Sequence, residues 1–153
     1  MKRDSKNRRV DLLVYDSLYT IKGNKYGDCT YCGIPSETLD HIPPISHVQY
    51  FSDKAKDTFS FFKIPSCLEC NSALNSLTLY TVAERKHYIK KHITKKYKKA
   101  LRVPYWDEEE LKELHPTMRE EIRKANKQSS WVKERITWMP TLDLYNLSCY
   151  PDE

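Results

Sequence analysis

Cys29-Thr-Tyr-Cys32, Leu39-Asp40-His41-Ile42-Pro43-Pro44 and Cys67-Leu-Glu-Cys70-Asn71 are the stretches whose reading decides the fold. Two Cys-x2-Cys pairs, separated by 34 residues, bracket an Asp-His dipeptide, and an asparagine follows the second pair directly. A two-residue gap lets a tight turn of backbone aim both sulfurs at one ion, and four thiolates held this way suit a tetrahedral Zn²⁺. Gly33, directly after Cys32, fits such a turn. Two matched pairs at this spacing point to a structural zinc site rather than to four unrelated buried cysteines or a redox pair. Asp40, His41 and Asn71 offer different chemistry. The carboxylate and amide oxygens are hard donors suited to Mg²⁺, and a neutral imidazole beside them can take a proton from an attacking water. Asn71 is covalently adjacent to the second pair, so closing the zinc site brings it toward Asp40 and His41.

Working outward, Thr38-Leu39 reads as a short strand delivering Asp40 and His41, and Pro43-Pro44 forces a loop because neither residue can donate to a ladder. Thr58 to Ile64 reads as a second strand ending at Pro65, and Asn71 to Leu79 as one or two helical turns. Upstream, Val10, Leu13, Val14 and Leu18 have the spacing of a short helix. Thr81-Val-Ala-Glu84 is a capping-box pattern that opens the clearest helix, with Val82, Ile89, Ile93, Tyr97 and Ala100 or Leu101 on one apolar face and Pro104 at its end. Asp107 and Thr117 begin two further helices, the second running to about Trp138. The tail from Pro140 carries Leu142, Leu144, Tyr145, Leu147 and Tyr150 and is expected to fold back onto a helical face. Trp106, Trp131 and Trp138 are read as core of this extension, and Cys149 as packing or a free thiol. His47 and Ser46 are read as loop residues without a role, and His87, His92 and His115 are given no catalytic role.

The division expected is a basic N-terminal arm and short helix over 1–25, a metal-bearing domain over 26–103, and a helical C-terminal extension over 104–153. The fold class is α+β. No apolar run approaches the roughly 20 residues that span a bilayer, and the basic N-terminus lacks a signal-type apolar core. The chain therefore reads as cytoplasmic, without a membrane partner.

Charge is unevenly spread. Residues 1–102 hold 19 Lys and Arg against 10 Asp and Glu, whereas residues 103–153 hold 7 against 11. Residues 85–102 contain nine basic residues and no acidic one, so the usual i, i+4 pairing is missing. Neutralisation of nucleic-acid phosphates is the economical reading of such a run. Arg85, Lys86 and Lys90, with Arg8 and Arg9 of the arm, are the expected contacts. Contacts of this kind position a backbone without reading bases.

Taken together, Cys29-x-x-Cys32, Asp40-His41-Ile42-x-Pro44 and Cys67-x-x-Cys70-Asn71 resemble the zinc-finger type of HNH endonuclease, a family with many phage-encoded members. The resemblance covers roughly residues 26 to 100. It implies a ββα-metal core, treble-clef-like, with structural zinc beside a catalytic site. It also implies cleavage of DNA, double-stranded in the main, with Mg²⁺ or Mn²⁺ held by Asp40 and Asn71 and with His41 as general base. Phe62 stands where the family usually has a middle asparagine that orients the histidine, and Leu74 and Asn75 stand where a lysine often follows. A non-catalytic zinc-binding nucleic-acid module with a degenerate HNH site is the alternative that these departures favour.

Overall fold

The computed structural model describes residues 15–17 and 26–151. Its sheet has three strands, β1 (Asp16–Ser17), β2 (Thr38–Ile42) and β3 (Phe62–Ser66), with β3 in the middle. β2 runs antiparallel to β3, setting Asp40 opposite Ile64 and His41 opposite Lys63, while β1 pairs in parallel with Phe62 and Lys63 alone. β3 lies later in the chain than the expected strand over Thr58 to Ile64, whose first residue, Thr58, instead ends a short helix, α1 (Asp53–Thr58). Pro65 stands inside β3, opposite Leu39 of β2. Its carbonyl accepts from the Thr30 N–H at 2.9 Å. The helix expected over 10–19 is corrected where it can be seen. Tyr15 is buried against Val48 and Phe61, and the next two residues complete the sheet. The remainder of that segment, with Arg8 and Arg9, lies outside the described residues.

Behind the sheet, α2 (Leu68–Leu74) carries Asn71, and α3 (Val82–Lys96) packs across it. Thr81 caps α3 by accepting from the Glu84 N–H at 3.1 Å, and Val82, Ile89 and Ile93 are fully buried. Tyr97 interrupts the helix, which resumes as α4 (Lys98–Arg102). α5 (Glu108–Lys112) starts with a complete Asp107/Glu110 capping box, and the long α6 (Pro116–Thr137) starts with Pro at its first position.

The C-terminal extension shares the main core instead of forming one of its own. Val132 of α6 and Cys149 of the tail are buried in the cluster that holds the four metal-type cysteines, Ile42, Ile64 and Leu74. After α7 (Leu142–Tyr145), the tail runs between β3 and α3. There Ser60 donates to the Cys149 carbonyl at 2.9 Å, Cys149 donates to the Tyr80 carbonyl at 2.9 Å, and Val82 donates to the Leu147 carbonyl at 3.0 Å. Cys149 is thus a core residue. Among the described residues no helix is long and apolar enough to cross a membrane.

Candidate metal centre and candidate active site

Cys29, Cys32, Cys67 and Cys70 are all buried, and their sulfur atoms all lie within 4.8 Å of one another. The Cys32 and Cys67 sulfurs are 3.7 Å apart, close to the roughly 3.8 Å edge of a tetrahedron with Zn–S bonds near 2.3 Å. The donor set and its size therefore fit zinc. Each pair is shaped by its backbone. In the first, Gly33 donates to the Cys29 carbonyl at 2.9 Å with φ at +80°, a conformation that favours glycine. The Trp138 ring covers this turn so closely that it leaves no room for a Cβ at Gly33. In the second, Cys67 is the N-cap of α2 and its sulfur accepts from the Cys70 N–H at 3.4 Å. Protons are shared unequally within the cluster. Hydrogen bonding from Cys29 draws the Cys67 thiol down to about 7, and Cys32 is lowered as well, at the expense of Cys29 and Cys70. Thiolate is the form that ligates.

The same closure brings Asn71 against β2, its Nδ2 lying 3.5 Å from the Leu39 carbonyl. His41, Asp40, Ser46, Asn71, Ser72 and Asn75 all line one open cavity of about 460 Å³. Side chains alternate along a strand, so the neighbours Asp40 and His41 face different surroundings. His41 meets the Tyr15 ring edge-on at 4.9 Å. Burial, reinforced by the charge of Lys63, pulls its pKa down to about 4, against a hydrogen bond to the Leu39 carbonyl. At neutral pH the ring is an uncharged acceptor. Phe62 is buried in the core at the start of β3 and does not orient His41. The groups that meet the His41 ring are Tyr15 and the Leu39 carbonyl.

Asp40 is turned into the protein, 3% exposed. Its two oxygens accept from Arg85 Nη1 at 3.0 and 2.9 Å, and one also accepts from the Tyr31 hydroxyl. Burial raises its pKa, while Arg85 and Tyr31 oppose that rise by favouring the ionised form. Arg85 also donates from Nε to the Leu79 carbonyl at 2.7 Å. Three of the roughly four acceptor positions of this carboxylate are thereby filled. A ligating carboxylate is commonly held by outer hydrogen bonds of this sort. Asp40 and Asn71 thus both border the cavity, with the Asp40 oxygens already engaged by Arg85 and Tyr31.

Two expected phosphate contacts are corrected. Arg85 is fully buried, and Lys86 is buried with its Nζ 2.6 Å from the Tyr31 carbonyl, so neither belongs to the outer face of α3. The apolar spacing of Val82, Ile89 and Ile93 carries the signal, since positions 85 and 86 fall on the same helical face. Lys90 is exposed, and it lines a groove of about 710 Å³ with Lys91, Lys95, Lys98 and Arg102. These five have no ion-pair partner among the described residues, whereas Lys96 pairs with Glu69 at 3.2 Å. His47 is engaged by the Tyr80 hydroxyl at 2.8 Å, and His115 caps α6. Sequence reasoning passed over Tyr31, Tyr15, Lys63 and Arg135. Of these only Tyr31, inside the first cysteine pair, stands next to a motif.

No protein-family model, curated protein or solved structure matches this chain.

Proposed function

We propose that this chain is a zinc-stabilised, HNH-type endonuclease that hydrolyses phosphodiester bonds in DNA, with β2, β3 and α2 as its ββα-metal core. The observation that carries the reading is the meeting of His41 and Asn71, from different elements, in one open cavity beside the cysteine cluster. His41 is neutral at working pH and acts as general base, taking a proton from the water that attacks phosphorus. The P–O bond to the leaving 3′ oxygen breaks, that oxygen takes up a proton from solvent, and the phosphate stays on the 5′ end. Asp40 and Asn71 would hold Mg²⁺ or Mn²⁺, whose charge offsets the charge developing on the phosphate. Tyr15 and the Leu39 carbonyl keep the His41 ring in place. Arg85 and Tyr31 hold Asp40 in position. Lys90, Lys91, Lys95, Lys98 and Arg102 contact the phosphate backbone through charge alone. Cleavage of supercoiled plasmid by wild type beside His41→Ala tests the proposal.

The second reading is a zinc-bound DNA-binding module that no longer cuts. It is favoured by the Arg85–Asp40 pair, in which the carboxylate already has a buried positive partner, and by Phe62. Asp40→Asn separates the two. Under the catalytic reading it abolishes metal-dependent cleavage, and under the other there is no cleavage to lose.

A further inference from the structure

Four thiolates around one Zn²⁺ leave the centre with a formal charge of minus two, and a buried net charge is costly unless it is paired. Two cations are buried against this cluster. Arg135 of α6 is 1% exposed, and its Nη2 donates to the Cys32 sulfur at 3.4 Å across 103 positions of sequence. Its other arm reaches Glu69 at 3.0 Å, and the guanidinium stacks 4.6 Å from the Trp131 ring. Lys86 lies on the opposite element, α3. Its ammonium donates to the Tyr31 carbonyl inside the first cysteine pair, and it has no acidic partner among the described residues. Arg85, the remaining buried cation of α3, is already matched by Asp40.

We propose that Arg135 and Lys86 are outer-sphere residues of the metal centre, balancing its charge and quieting its thiolates, so that docking of α6 and retention of zinc are one coupled equilibrium. The proposal rests on the zinc reading of the cysteine cluster. A hydrogen bond or a nearby cation lowers a thiolate's basicity and with it its intrinsic nucleophilicity. Outer-shell partners of metal ligands typically matter by about 10- to 100-fold in metal affinity. Linkage makes the effect reciprocal: if docked α6 tightens zinc, bound zinc tightens the docking of α6 to the same extent. The extension would then be a functional part of the zinc site and not an appendage to it.

The test uses the full chain. Metal analysis first establishes zinc content, and zinc ejection by iodoacetamide is then followed with a chromogenic chelator. Arg135→Met and Lys86→Met should each lose zinc about 10-fold faster than wild type, with Arg135→Lys in between. Val132→Ala loosens the same helix from within the core without touching a thiolate, and through the coupled docking should eject zinc faster than wild type but more slowly than the charge variants. Should Arg135→Met fail to fold, Arg135→Lys and Lys86→Met decide the matter. Ejection from the charge variants no faster than from Val132→Ala overturns the proposal. A wild-type protein with no zinc is a different result, which defeats the zinc reading itself and the proposal with it.

Discussion

Arg85 and Asp40 lie 2.9 Å apart with side chains 0% and 4% exposed, joining α3 to the strand that carries His41. Removing one member of such a pair strands a buried charge, whereas removing both removes the problem. Arg85→Met should destabilise the protein by about 3–5 kcal/mol in urea denaturation, and the double variant Asp40→Asn/Arg85→Met should recover much of that loss. Additive costs for the two substitutions would show that the pair is not coupled.

Gly33 and Gly27 both have positive φ, at 80° and 91°, but only Gly33 has Trp138 against it. Gly27→Ala should therefore cost only the backbone penalty of about 1–2 kcal/mol. Gly33→Ala should cost clearly more and weaken zinc retention, because the ring must move away from the turn that aims Cys29 and Cys32. Equal losses of stability would mean that Trp138 gives way freely.

The outer face of α3 and α4 should set the salt dependence of DNA binding. Lys91→Glu/Lys95→Glu should weaken binding to duplex DNA and lower the slope of log affinity against log salt by roughly 0.9 for each phosphate that is no longer neutralised. Lys127→Glu/Lys133→Glu, the same charge change on exposed positions of α6, should leave the slope near wild type. Equal effects from both would reduce the groove to general electrostatics.

His41 couples stability to pH. Its folded pKa is about 4, and the unfolded imidazole titrates near 6.5, so between these values the unfolded chain binds more protons. This contribution is present above about pH 6.5 and is lost as pH falls through 4. His41→Gln should lose less stability than wild type over that window. If both variants melt in parallel across it, His41 is not held in its neutral form.

Much of the metal-bearing part was legible because its signals are local. The two Cys-x2-Cys turns, the Thr81 cap and the position of Asn71 beside Cys70 each depend on residues within a few positions of one another. What was not legible depends on distant partners. Arg85 and Lys86 belong to a run of nine cations that reads as a surface. The groups that bury them, Asp40 and the Tyr31 carbonyl, lie 45 and 55 positions away. Pro65 marked the end of a strand by its chemistry, yet it sits inside β3, paired with Leu39 of β2. The tail followed an apolar pattern that does not say where it docks, and backbone bonds from Ser60 and Val82 decide that.

The central claim is that His41 is the base of a DNA-cutting site, and the most direct measurement is single-turnover cleavage of an end-labelled duplex with Mg²⁺ or Mn²⁺. Wild type should give metal-dependent products bearing 5′-phosphate ends. His41→Ala should bind the duplex as tightly and cut it slower by at least about 100-fold, the low end of what a general base supplies. A wild-type protein that binds the duplex but cuts it no faster than His41→Ala with either ion would contradict the claim and leave the zinc-bound, non-cutting module in its place.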